Sequence, residues 1–293
     1  MKNLIKKIVK HVLMMGPNRL ALIFFKIYRQ IVLHGDTIYK NELKYQKDIF
    51  LKLGFGPGLK AIDIGAANGV TNSNIYPYKK WLTGDNSFLL MVEGNPDFSK
   101  YLKYNYNFKK STVYHGFISS DNVSKIFNDS GVPKVVDLLS IDIDSYDYYI
   151  LDKALMIVRP NLIIAEINER FPPEVYFKIS SDVNPALLGG AFYGMSLSAA
   201  AEVLSRHNYK IIGLFYNNIY AVPVDNLTCG HNHSLDDLYT NGYKNMEKRK
   251  KYFHWNGRYE AVLKMGSEGV INFFNDEFKK IGAKNDDYTI RLS

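Results

Sequence analysis

Asp142 and Asp144 stand two residues apart at the close of the apolar run Val135-Val-Asp-Leu-Leu-Ser-Ile141. If that run is a strand, its period of two turns both carboxylates to one face. A second apolar run, Leu162 to Ile167, carries Glu166. A carboxylate within hydrogen-bond reach of a hydroxyl can draw off its proton, which makes Asp144 and Glu166 candidate bases, with His115 as an imidazole alternative. Glu93 ends a third run, Phe88-Leu-Leu-Met-Val92, and opens Glu93-Gly94-Asn95-Pro96. An acidic residue at a strand tip is placed to accept both ribose hydroxyls of an adenosine; the alternative is an exposed loop glutamate. Ile118, in Gly116-Phe-Ile-Ser119, could pack on an adenine face.

A glycine-rich stretch, Lys60-Ala-Ile-Asp-Ile-Gly-Ala-Ala-Asn-Gly-Val-Thr-Asn-Ser-Asn74, precedes these runs. Ala61 to Ile64 reads as a short buried strand, since a β-prone apolar run ends abruptly in small residues. Gly65 and Gly69 let the backbone turn tightly and lie close to a ligand. The spacing predicts a helix starting near Thr71 or Ser73, whose unpaired N–H groups would face that ligand. The pattern is Asp-x-Gly-x-x-x-Gly, and Ala67 stands where the dinucleotide fingerprint needs its second glycine.

The elements that must position these residues alternate. A helix is expected over Asn41 to Leu53, broken by Gly54, Gly56 and Gly58 around Pro57. Strands follow at Ala61–Ile64, Phe88–Val92, Thr112–His115, Val135 onward and Leu162–Ile167, with a helix over Tyr148–Val158 that ends before Pro160. Strands alternating with helices make a doubly wound, mostly parallel sheet. Ligands bind outside the carboxyl ends of such strands, and Gly65, Glu93, Asp142, Asp144 and Glu166 all belong there. Asn168 to Phe192, with Pro172-Pro173 and Gly189-Gly190, reads as a long irregular lid or surface connection. Tyr193 or Arg170 would then touch the acceptor.

Residues 41 to 223 resemble the FkbM-type methyltransferases that use S-adenosylmethionine (SAM), members of the class I, Rossmann-like fold. The resemblance is carried by Asp63-Ile-Gly-Ala-Ala-Asn-Gly-Val-Thr-Asn-Ser-Asn74, Val92-Glu-Gly-Asn-Pro96, Asp137-Leu-Leu-Ser-Ile-Asp-Ile-Asp144 and Ile164-Ala-Glu-Ile-Asn168. Gly194-Met-Ser-Leu197, Tyr209-Lys-Ile-Ile-Gly213 and Asn218-Ile-Tyr-Ala-Val222 extend it. The chain departs from the family pattern before the glycine-rich stretch, where only Asp48 of Tyr45-Gln-Lys-Asp48 fits, and at Ser145, where a glycine is usual.

The resemblance implies a seven-stranded α/β sheet closed by an antiparallel final strand. Lys210–Phe215, an Asn217-Asn218 turn and Ile219–Val222 would supply that hairpin. It further implies that Gly65, Ala67 and Gly69 line the methionine end of SAM, and that Glu93 takes the ribose. Asp63, Asn68, Ser73, Asn74, Gly94, Asn95, Ile118, Ser119 and Asp142 complete the expected cofactor set. The implied acceptor is a sugar hydroxyl of a surface polysaccharide or glycan precursor. A phosphate or phosphoramidate group on such a precursor is the rival acceptor, and a SAM-binding scaffold without activity is a rival of another kind. In placement, Asp142 and Glu166 resemble metal ligands of catechol and macrolide-sugar O-methyltransferases, and oxygen donors suit Mg2+. The alternative has Asp142 holding loop N–H groups or the SAM amine.

The 293 residues suit one large α/β domain with extensions. We divide them into a basic helical N-terminal extension (1–40), a methyltransferase domain (41–224) and a helical C-terminal extension (225–293). A net charge of +8 favours acidic partners such as anionic lipid, nucleic acid or a phosphorylated substrate. The basic residues are scattered and no RNA-binding module is recognisable, so nucleic acid is not expected. The single cysteine, Cys229, allows no internal disulfide and no cysteine-based zinc site, which fits a reducing cytoplasm. Ile5, Ile8, Val9 and Val12, set among Lys2, Lys6, Lys7 and Lys10, predict a basic amphipathic helix, pressed on anionic lipid at the inner face of a membrane or packed on protein. No apolar run reaches the roughly 18–20 residues of a membrane span, and lysines interrupt any signal sequence. His231-Asn-His233 lacks a third spaced ligand and reads as loop. The basic aromatic run Asn245–Trp255 is expected as a helix whose rings stack on sugars, sit at a lipid interface or pack it to the fold. Residues Asn285–Ser293 are expected as a loose tail.

Overall fold

The computed structural model describes residues 12, 16–28, 37–71, 73–108, 110–184, 187–227 and 233–293. His231, Cys229 and all of the expected N-terminal helix except Val12 lie outside the described residues. The chain forms two compact units, residues 1–118 with 125–140, and residues 119–124 with 141–293.

The first unit runs α1 (Arg19–Tyr28), α2 (Thr37–Lys52), β1 (Lys60–Ile64), β2 (Phe88–Glu93), α3 (Pro96–Asn105) and β3 (Ser111–His115), with α4 (Val123–Asp129) and β4 (Val135–Ile141) at its boundary. β1 pairs in parallel with β2, and β2 with β3. Leu89 to Val92 are buried without alternation, as a strand covered on both faces requires. Asp63 is the one charged residue buried in β1. The start of β1 is pinned by Asp137 of β4, whose Oδ2 accepts the Lys60 N–H at 2.8 Å. α3 begins with Asn95 as its cap, Oδ1 accepting from Asp97 N at 2.8 Å, and with Pro96 in its first turn.

The second unit continues with α5 (Asp147–Leu155), β5 (Arg159–Glu166), β6 (Val175–Ile179), α6 (Leu197–Arg206), β7 (Tyr209–Phe215), β8 (Asn218–Pro223), α7 (Leu235–Tyr239), α8 (Arg249–Tyr252), α9 (Ser267–Lys280) and β9 (Tyr288–Leu292). The strand order is β3-β2-β1-β4-β5-β8-β7, a seven-stranded, mostly parallel sheet with flanking helices. β8 lies antiparallel to both β5 and β7. This is the sheet that the resemblance implies.

Four local expectations are corrected. The hairpin turn is Tyr216-Asn217, one residue earlier than expected. Phe215 pairs with Asn218, and Tyr216 takes the left-handed backbone (φ +57°) that a tight hairpin demands. The supposed loose tail is β9, which pairs antiparallel with β6. Tyr288 and Ile290 alternate along it and pack on a buried cluster that includes Phe171, Phe177, Phe192, Phe274 and Phe278. The lid segment likewise holds a strand, β6, whose Val-Tyr-Phe-Lys-Ile composition is β-prone behind the Pro172-Pro173 break. Finally, no helix starts at Thr71 or Ser73. Asn68 Oδ1 accepts from the N–H groups of Val70 and Thr71, both at 2.9 Å. Ser73 Oγ accepts from Ile75 and Tyr76, and a 3-10 helix begins only at Tyr76. Polar side chains thus satisfy the loop N–H groups that were expected to await a ligand.

Candidate active site

The first unit holds the glycine-rich turn. Gly65 (φ +86°), Ala67 (φ +49°) and Gly69 (φ +71°) all take left-handed backbone within five residues. At Gly69 a side chain is excluded twice over, since a Cβ would sit 2.5 Å from Tyr106 and 2.8 Å from Leu102. The turn is braced from below. Tyr106 Oη donates to Gly69 O at 2.6 Å, and Asn105 Nδ2 donates to Asn68 O at 2.8 Å. Ser73 Oγ donates to buried Asp63 at 2.8 Å, and Asn74 Nδ2 to Ser140 at 3.1 Å. Burial pushes the Asp63 carboxyl up to about 6, against the hydrogen bonds from Ser73 and Ser140. Asp63, Asn68 and Ser73 therefore spend their polar groups on the shape of the loop.

Glu93 closes this half. Its Oε2 accepts the Ala67 N–H and its Oε1 the Asn95 N–H, each at 2.7 Å. Each oxygen keeps a second lone pair for a ligand. Gly94 carries the ring of Phe117 against its α-carbon, where a Cβ would lie 2.6 Å from the ring. Phe117 is 81% exposed, whereas its neighbour Ile118 is buried. His115 ends β3 in this unit, exposed and in register with Glu93. Burial and the charge of Lys103 lower its imidazole pKa.

The second unit gathers the carboxylates. Carboxylate oxygens of Asp142, Asp144 and Glu166 lie within 4.8 Å of one another. The loop that presents the first two is tied by Asp147, which accepts the N–H groups of Ile143 and Ser145, both at 3.0 Å. Asp144 itself is held in left-handed backbone (φ +53°), a strained position for a residue with a side chain. Glu166 ends β5, nine-tenths buried. Its Oε1 accepts from Asn217 Nδ2 at 2.5 Å, and its Oε2 has no protein partner. Burial first, then the charges of Asp142 and Asp144, hold the Glu166 carboxyl well above the usual range.

Beside these carboxylates opens a cavity of about 680 Å³, lined by Asp144, Glu166, Glu169, Arg170, Tyr193, Asn217 and, from the C-terminal third, Phe253, Trp255, Arg258 and Tyr259. Arg170 and Tyr193, the expected acceptor contacts, line this cavity, and Gly189-Gly190 completes its rim. His115, Ser119 and Asp142 are not in the lining. The basic aromatic run does not form one helix; it breaks after α8 into a 3-10 turn, His254–Tyr259. That turn presents Trp255, 53% exposed, to the cavity. Tyr252 instead stacks on Tyr216, with ring centroids 5.5 Å apart. Buried Glu169 accepts from Asn256 Nδ2 at 2.5 Å and from Tyr193 Oη at 3.3 Å. Asn217, Glu169 and Asn256 were not singled out in the sequence, because amides and acids in turns carry no periodic signal. Among the described residues, three buried polar atoms without a partner sit on this constellation: Glu166 Oε2, Arg170 Nε and Asn256 Oδ1. Two oxygens there require a donor and one N–H requires an acceptor.

No family model and no curated protein matches this chain. Solved structures similar to it include a SAM-dependent methyltransferase from Aquifex aeolicus, at 13% identity over 60% of this chain and 88% of that one, with a TM-score of 0.36. Another is a TehB-like SAM-dependent methyltransferase from Corynebacterium glutamicum, at 12% identity, 68% and 95% coverage and a TM-score of 0.39. A third is fibrillarin from Aeropyrum pernix with SAM bound, at 14% identity, 57% and 67% coverage and a TM-score of 0.38.

Proposed function

We propose that this chain is a SAM-dependent O-methyltransferase of the FkbM type acting on a sugar hydroxyl, in the making of a surface polysaccharide or glycan precursor. The observation that carries the reading is the buried, unpaired Glu166 Oε2 beside an aromatic-lined cavity. A hydroxyl is a poor nucleophile until its proton is drawn off, and a carboxylate raised by burial is a stronger base than an exposed one. Glu166 Oε2 would take the proton of the acceptor hydroxyl, and bound SAM would supply the activated methyl, its sulfonium leaving as a neutral thioether. Gly65, Ala67 and Gly69 would keep the backbone close to the methionine end, Glu93 would accept the ribose hydroxyls, and Phe117 would offer a ring to the adenine.

A hydroxylated ring suits the orphaned atoms, because each hydroxyl both donates and accepts. It can satisfy Glu166 Oε2 as donor and Arg170 as acceptor, while Trp255 covers its apolar face. An anionic acceptor is less well served. The Arg170 guanidinium already faces Glu169 at 4.0 Å, and that of Arg258 faces Glu277 at 3.1 Å. Trp255→Ala is expected to raise KM for the acceptor about tenfold, the worth of one aromatic contact, with kcat little changed. A fall in kcat at constant KM would remove Trp255 from acceptor binding.

The same carboxylates support a second reading, a divalent cation of the Mg2+ class. Three oxygen donors within 4.8 Å, one of them unpaired, fit such an ion. Asp142, Asp144 and Glu166 would hold it, and it would lower the pKa of the acceptor hydroxyl. The test of the proposal is a calorimetric titration with S-adenosylhomocysteine, run with Mg2+ and with EDTA. Micromolar binding under both conditions is expected, and its absence under both would sink the methyl-transfer reading. Acceptor screening with nucleotide sugars and glycan precursors, with and without EDTA, then separates base from metal.

A further inference from the structure

Among the described residues, the outward face of α1 is left exposed. Inward, Ala21 and Phe25 are buried with Val12, Val70 and Tyr101. Phe25 meets Tyr101 edge-on at 5.1 Å, and Tyr101 Oη donates to Val12 O at 2.9 Å. Outward, Leu20, Ile23 and Ile27 are 65%, 43% and 50% exposed. Their spacing of three and four residues puts them in one stripe along the helix. Arg19 and Lys26, both exposed, lie together along one side of that stripe at 100° per residue.

A surface helix normally shows water a polar face. This one shows it aliphatic side chains edged with cations, the pattern of a helix lying in the plane of an anionic bilayer surface. The sequence just before it adds Lys2, Lys6, Lys7 and Lys10, and the chain carries +8 overall. Ten residues span about 15 Å, so α1 can lie on a bilayer but not cross it. A second copy is a poorer occupant. Three aliphatic side chains fall well short of the roughly 800 Å² per partner of a stable interface, and a twofold axis there would bring like charges together. The chain's own first residues fit poorly too. Val12 turns into the inner cluster, and a segment carrying Lys2, Lys6, Lys7 and Lys10 has the same charge as Arg19 and Lys26.

We propose that the Leu20-Ile23-Ile27 stripe of α1 docks the protein on anionic phospholipid, with Arg19 and Lys26 at the headgroups. This inference does not depend on the methyl-transfer reading. The test is sedimentation of the full chain with vesicles of phosphatidylcholine alone, and of equimolar phosphatidylcholine and phosphatidylglycerol. The wild type is expected to sediment with the anionic vesicles only. Leu20→Gln/Ile23→Gln/Ile27→Gln should partition at least about tenfold more weakly, and Arg19→Gln/Lys26→Gln several-fold more weakly, with the difference fading in high salt. Ala21 and Phe25 are untouched, so the thermal midpoint of both variants should match the wild type. A wild type that stays in the supernatant with both vesicles overturns the proposal, as does a triple variant that sediments equally well. A wild-type dimer that the triple variant turns into a monomer would assign the stripe to a second copy instead. A triple variant of lowered midpoint, with a wild type that ignores lipid, would assign it to the chain itself.

Discussion

Glu166→Gln is expected to lower methyl transfer by about a hundredfold to ten-thousandfold, the range for loss of a general base, while the protein becomes more stable. Both effects come from one cause. Burial and the neighbouring Asp142 and Asp144 hold the Glu166 carboxyl well above its ordinary value of 4.5. Between 4.5 and that raised value the folded chain binds the proton more tightly than the unfolded chain. Stability attributable to Glu166 therefore falls as pH rises through this window, and the full cost stands above it. Glutamine keeps an oxygen for Asn217 Nδ2 and carries no charge at any pH. The variant should gain little at about pH 5 and about 1–3 kcal/mol at about pH 8, the order of a buried group left unpaired. Asp63, pushed up to about 6, follows the same trend in both proteins and drops out of the difference; Asp147, also pushed up to about 6, is one of the charges that raise Glu166, and the variant relieves that repulsion too. Urea denaturation of the pair at the two pH values reads the stability, and S-adenosylhomocysteine release reads the turnover. Unchanged turnover would place the base elsewhere; equal stability gains at both pH values would remove the charge as their source.

Glu93→Ala should weaken S-adenosylhomocysteine binding about a hundredfold. Two hydrogen bonds from ribose hydroxyls to a charged oxygen are worth about 1.5 kcal/mol each, and 1.4 kcal/mol is a factor of ten. Part of the loss comes before any ligand binds, because the same carboxylate holds the Ala67 and Asn95 N–H groups at 2.7 Å. Glu93→Gln separates the two roles, since its amide keeps one accepting oxygen and loses the charge. Calorimetry on both variants checks this. An alanine variant that binds as tightly as the wild type takes the ribose away from Glu93 and leaves it a purely structural brace.

The strands were legible because each is a short apolar run ended by glycine, proline or acid, and their alternation with helices dictates a wound sheet. Asp144 and Glu166 could be paired in advance because both are acidic residues that close apolar runs. β4 nevertheless stops at Ile141, and Asp142 and Asp144 lie in the loop after it, not on the strand whose period of two was expected to align them. What stayed hidden was whatever depends on chain segments remote in sequence. Nothing in Tyr288 to Leu292 says that its partner is Val175 to Ile179, more than a hundred residues earlier. The wall of the cavity was hidden for the same reason. Trp255 reads equally as a packing or a sugar-stacking residue, and Tyr259 as an ordinary packing one, until the fold sets both in a cavity that Glu166 also lines. The turn at Tyr216-Asn217 was misplaced by one residue because two asparagines compete for it, and tertiary packing of Tyr216 on Tyr252 and Phe253 decides. The loop at Asn68 to Ser73 reads as a helix start because serine, threonine and asparagine favour both caps and local turns.

The cavity wall is also separable in its duties. Tyr259 faces the aromatic cluster of Phe171, Phe274 and Phe278 and anchors the segment. Trp255, and Arg258 with 64% of its side chain exposed, project from that anchor and fill no core position. Substitutions at these two positions cost the fold little, whereas the acids that would perform the chemistry sit on strand ends and in a strained loop. Over generations such a wall can wander among acceptors while the reaction beneath it is conserved, so that two descendants of this chain could share every reacting group and still disagree about what they modify.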